Sequence, residues 1–124
     1  MRSLKNRVLE HDAKGIDLIK AERKRQIEVE EWTPERDKQY HKAELFHAAS
    51  CYYAAERSRA INNGADYSPE GWPWSSEWWK PSPDNRVREL EKAGALYMAH
   101  QDLTGQDCSK WIRLCADEID KIKS

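Results

Sequence analysis

Apolar residues recur along most of this chain at intervals of three and four, the spacing that lines one face of an α-helix. Ile16, Ile19, Arg23, Gln26 and Ile27 share one such face, with charges on the other, and predict a helix running towards Trp32. A second segment opens at Thr33-Pro34-Glu35. There Thr33 can cap, Pro34 suits the first helical position and Glu35 complements the dipole. It takes in Asp37, Tyr40 and His41, then passes through a kink into Leu45, Ala48, Ala49, Tyr52 and Ala55, a stripe that lets a neighbouring helix come close. Asn62-Asn63-Gly64 stops it.

Ser82-Pro83-Asp84 repeats the helix-start logic, and Val87, Leu90, Ala93, Gly94, Tyr97 and Gln101 follow on one side before Gly105 ends the helix. Gly94 inside a helix needs a reason, and close contact with a neighbour supplies one. Asp107 caps a last helix with Ile112, Cys115, Ala116, Ile119 and Ile122 inward. No segment shows sustained alternation. The predicted class is all-α, a single-domain bundle of about four main helices over 1–124, with 1–15 a weakly patterned extension and 64–83 a long Trp/Pro-rich ordered connection.

Composition narrows the function. The charged fraction is 35%, yet the formal net charge is −1, which disfavours nucleic-acid binding through a general basic field. No apolar run is long enough to span a bilayer, and the N-terminus lacks the apolar core of a signal peptide, so the expectation is a cytoplasmic protein with no membrane partner. Three cysteines without a Cys-x-x-Cys pair fit a reducing compartment and argue against both a disulfide framework and zinc.

Four of the six tryptophans stand in one short stretch, Trp72-Pro73-Trp74-Ser75-Ser76-Glu77-Trp78-Trp79-Lys80-Pro81. Such a cluster is either a plug over a small core or an aromatic ledge with a cation beside it, suited to stacking a flat anionic ligand. The plug is the preferred reading. Trp78 and Trp79 are adjacent, so on a helical turn or an extended chain they point apart, and one buried ring beside one surface ring is expected.

The series Glu22-Arg23-Lys24-Arg25-Gln26, Trp32-Thr33-Pro34-Glu35-Arg36-Asp37, Glu44-Leu45, Trp72-Pro73-Trp74, Trp78-Trp79-Lys80-Pro81 and Lys92-Ala93-Gly94-Ala95-Leu96 resembles a small family of phage and prophage proteins. The likeness covers roughly residues 16–103. The chain departs from that pattern at Glu31, Lys38, Tyr40 and Ala43, where the family has Gly, Asp, His and Gly. A shorter likeness at Trp32-Thr33 with Glu35-Arg36-Asp37 resembles the ryanodine-receptor-type repeat and implies ligand binding.

The all-α enzymes to weigh are MazG-like nucleoside triphosphate pyrophosphohydrolases, which hold magnesium with carboxylates at helical-turn spacing. Glu30-Glu31 with Glu35 is the nearest match, one residue out of register and interrupted by Pro34; Glu44 has no second acid on its face. His41, His47 and His100 read as ordinary helical histidines, His41 with Glu44 being the best pair.

The expectation is therefore a non-enzymatic phage or prophage accessory protein binding a nucleotide-like small molecule or a host protein. The predicted face comprises Arg25, Trp32, Asp37, His41, Glu44, Trp74, Trp78, Trp79, Lys80 and Arg86, with no catalytic residue, cofactor or metal. The alternatives are a divergent MazG-like pyrophosphohydrolase and a structural helical homo-oligomer.

Overall fold

The structure is a computed structural model that describes residues 14–29, 43–65 and 68–124. Among the described residues every regular element is helical and no strand occurs. In order they are α1 (Gly15–Val29), α2 (Glu44–Tyr53), α3 (Ala55–Ile61), a single 3-10 turn at Ser76–Trp78, α4 (Arg86–Thr104) and α5 (Ser109–Lys123). The helix start expected at Thr33-Pro34-Glu35 and nearly all of the 1–15 extension lie outside the described residues.

The longest helix, α4, is the hub: α1, α2 and α5 all pack on it, and α1 also meets α5. Its run Ala93-Gly94-Ala95-Leu96-Tyr97 is buried throughout, because small residues on several sides let three partners approach at once. Gly94 has the reason the sequence demanded, since a Cβ there would stand 2.6 Å from Ile19 Cδ1 of α1. Gly15 makes a closer approach still. A Cβ at that position would run into the backbone carbonyl of Ala116 on α5. The Gly15 N–H donates to Asp120 Oδ1 at 2.7 Å, so α5 supplies the cap for the start of α1.

Three boundaries differ from the sequence expectation. The stripe from Leu45 to Ala55 was expected to continue as one helix to Asn62, but it breaks at Ala54. There the carbonyls of Tyr52 and Tyr53 accept from the Arg86 guanidinium, so a charged side chain takes over the end of α2. Helix α4 begins at Arg86, not beside Ser82. Asn85 caps it by accepting from Arg88 N at 3.1 Å, while Ser82 N is directed to Glu89. Ile122, expected inward, is 51% exposed, because the buried stripe of α5 ends one turn earlier at Ile119. The stops at Gly64 and Gly105 are as expected, both in the left-handed region with φ of 88° and 75°.

Candidate functional site: the tryptophan strap and its fastenings

The connection over 68–85 lies as a strap across the seam between α2 and α4. Prolines and local hydrogen bonds shape it. Trp78 N and Trp79 N donate to Ser75 O and Ser76 O at 2.9 and 3.1 Å, closing the 3-10 turn, and Trp72 Nε1 reaches Ser75 O at 3.0 Å. The turn sends its last two indoles in opposite senses. Trp79 is buried, 8% exposed, and stacks on Tyr52 of α2 with centroids 4.7 Å apart. Trp72 stands edge-on to both, 5.0 Å from Trp79 and 5.7 Å from Tyr52, and Trp74 stands edge-on to Trp72 at 5.3 Å. Trp78 faces solvent and is 58% exposed.

Polar contacts fasten the same strap. Trp74 Nε1 donates to Glu44 Oε2 at 3.0 Å, and Lys80 N donates to the Tyr52 hydroxyl at 3.1 Å. Lys92 Nζ donates to Lys80 O at 2.7 Å and lies 5.4 Å from the centre of the Tyr52 ring. At the far end Ser82 N donates to Glu89 Oε2 at 3.0 Å. Glu89 has no exposed surface, and both its oxygens also receive Arg59, at 2.7 and 2.8 Å, with Arg86 at 3.3 Å. Burial pushes this carboxyl up, but the Arg59, Ser82 and Arg86 donors outweigh it and hold the group below the usual carboxylate range.

The predicted face thus separates into parts. Glu44, Trp74, Trp78, Trp79 and Lys80 come together on the strap and the start of α2. Arg86 lies beneath it, directed to the end of α2 and to Glu89. Arg25 belongs to another seam, between α1 and α4: its guanidinium sits on Glu22 at 2.8 and 2.9 Å, and Glu22 also receives Gln26 and Arg88. The Glu22 carboxyl, pushed up by burial and pulled down more strongly by Arg25 and Arg88, ends below its ordinary value. Trp32, Asp37 and His41 lie outside the described residues.

Sequence reading did not find Arg59, Glu89 or Lys92 as strap anchors. Nothing local marks them, since Arg59 and Glu89 are 30 positions apart and the strap reaches each only by folding back.

A concavity of about 350 Å³ opens beside Ala43, Phe46, His47, His100, Thr104 and Gln106. Several of its polar groups bond to one another: His100 Nε2 with Gln106 Oε1 at 2.8 Å, Thr104 Oγ1 donating to His100 O at 2.9 Å, and Gln106 N to Thr104 Oγ1 at 3.1 Å. His100 Nδ1 is buried without a partner. Among the described residues no group of three or more His, Cys, Asp or Glu is arranged to hold a metal ion, and no helix is long and apolar enough to cross a membrane. Set against protein-family models, curated proteins and solved structures, the chain matches none.

Proposed function

We propose that this chain is a non-enzymatic phage or prophage accessory protein, built as a bundle of about four main helices, that binds a partner in the host cytoplasm through the tryptophan strap. The observation that carries the reading is Trp78. A large indole left 58% exposed on a turn whose neighbours are packed and hydrogen-bonded is an anchor whose ordering cost is met before any partner arrives. The motif series around Trp72-Pro73-Trp74 and Trp78-Trp79-Lys80-Pro81 supports the phage setting.

The test compares the unaltered chain with Trp78→Ala for retention of components from a host extract. The expected result is a component kept by the first and lost by the second, with the melting temperature unchanged. Equal retention by both chains would remove the anchor. Magnesium-dependent release of pyrophosphate from a nucleoside triphosphate by the pure chain would replace the reading with a pyrophosphohydrolase.

A further inference from the structure

The end of α3 joins a reactive pair of residues to the network that ties down the strap. Asn63-Gly64 is the one Asn-Gly step in the chain. Such a step is chemically fragile, because glycine has no side chain to hold its backbone nitrogen away from the asparagine amide carbon. Here it closes α3 as a Schellman turn: Gly64 N donates to Arg59 O at 2.7 Å, and Asn63 is left-handed, with φ of 55°. The bond to Arg59 O fixes the backbone around Asn63 and keeps the Gly64 N–H engaged. Two features work against it. Glycine fills the left-handed position more easily than a residue with a Cβ, and of the seven residues of α3 only Ala55 is buried. The last turn of α3 therefore opens at small cost, without the rest of the bundle.

We propose that Asn63 is a site of spontaneous deamidation, gated by opening of the last turn of α3, and that its conversion loosens the strap. With the turn open, the Gly64 nitrogen gives its proton to water and attacks Asn63 Cγ. A bond from that nitrogen to Cγ forms, the bond from Cγ to the side-chain nitrogen breaks, and ammonia leaves a five-membered succinimide. Water then adds to either ring carbonyl and opens the ring to aspartate or isoaspartate. A Cβ on Gly64 would meet nothing within 4 Å, so water has room to reach the ring. Both products disfavour the turn. Aspartate puts a negative charge at the carbonyl end of a helix, and isoaspartate lengthens the main chain between Arg59 O and Gly64 N. Arg59 carries the effect onward. Its carbonyl accepts from Gly64, while its guanidinium holds both oxygens of Glu89, one of which also receives Ser82 N of the strap. A frayed turn draws Arg59 off Glu89 and weakens that fastening, whatever the strap binds.

The test ages the full chain at neutral pH and body temperature, folded and in parallel in denaturing urea. Peptide mass mapping follows each asparagine, and enzymatic methylation counts isoaspartate. The expected result is conversion at Asn63 ahead of Asn62 and Asn85, about tenfold or more slowly in the folded chain than in urea. Two variants locate the opening. Ala60→Gly, at an exposed position of α3, should speed folded-state conversion about fivefold, whereas Ile119→Val, in the buried stripe of α5, should leave the rate unchanged. Asn63→Gly keeps the turn and has no amide to lose, so it is the control for the strap. Hydrogen exchange at Ser82 N should quicken about tenfold in the converted chain and stay constant on ageing of that control. No conversion at Asn63 while the chain in urea converts fully would overturn the site. Equal rates folded and in urea, or Ile119→Val as fast as Ala60→Gly, would overturn the gate. Unchanged Ser82 exchange in the converted chain would overturn the link to the strap.

Discussion

Trp79 lies nearly parallel on Tyr52, their ring planes 24° apart and their centroids 4.7 Å, while its sequence neighbour Trp78 stands in solvent. Two adjacent tryptophans therefore have opposite roles, and truncating each should have opposite consequences. Trp79→Ala is expected to cost roughly 3–5 kcal/mol by opening a cavity between the strap and α2. Trp78→Ala is expected to stay within about 0.5 kcal/mol of the unaltered chain. Urea unfolding of the two variants measures both, and equal losses would show that Trp78 is packed as well.

Glu89 is expected to be the most sensitive polar position. With the carboxylate gone, the half-buried Arg59 and Arg86 lose their shared acceptor, so Glu89→Gln should destabilise by roughly 1–3 kcal/mol. The strap should loosen with it, because the single oxygen of glutamine cannot serve Arg59, Arg86 and Ser82 N together. A red shift in tryptophan emission before the main unfolding transition is the expected signature. A variant as stable as the parent would mean that Gln replaces the network.

The same carboxylates set an acid limit. Glu22 and Glu89 both have folded pKa values below their unfolded ones, so the folded chain binds fewer protons at these sites. Their contribution is fully present above the ordinary carboxylate pKa and is lost as pH falls through the lowered folded values. Glu91, pushed up by burial despite Arg88, acts in the opposite sense and softens the trend. Urea midpoints should hold from pH 7 to about 5 and fall below about pH 4. The Glu89→Gln variant should show a shallower fall, and an unchanged slope would assign the acid limit elsewhere.

The two close-approach glycines should rank by what they meet. Alanine normally favours a helix over glycine by about 1 kcal/mol, yet both changes are expected to destabilise. Gly15→Ala meets the backbone of Ala116 and should cost more than Gly94→Ala, which meets only the Ile19 side chain. Ile19→Ala should partly rescue Gly94→Ala and leave Gly15→Ala unrelieved. Thermal melts of the single and double variants decide it.

The cysteines should be silent in the native state. Burial pushes Cys51 up to about 11 and Cys115 up to about 12, and Cys108 is raised as well. A thiolate reagent at about pH 8 is expected to label none of them until denaturant is added. Rapid labelling of the folded chain would show that the helices open far more readily than this packing allows.

The sequence by itself determined the all-α class, the stops at Gly64 and Gly105, the glycine-bearing contact face of α4 and the expectation that one of Trp78 and Trp79 is buried and the other at the surface, though not which. Each of these is set within a few residues, by helical period, by a backbone conformation that favours glycine, or by the opposed directions of adjacent side chains. The tertiary structure alone decided that α4 is the hub, that α2 breaks where Arg86 takes its last carbonyls, and that the strap is tied to Glu89, Tyr52 and Lys92. Those facts join residues tens of positions apart. No local period encodes them, because a charge such as Glu89 is tolerable inside only once chain folding has brought Arg59 and Ser82 around it.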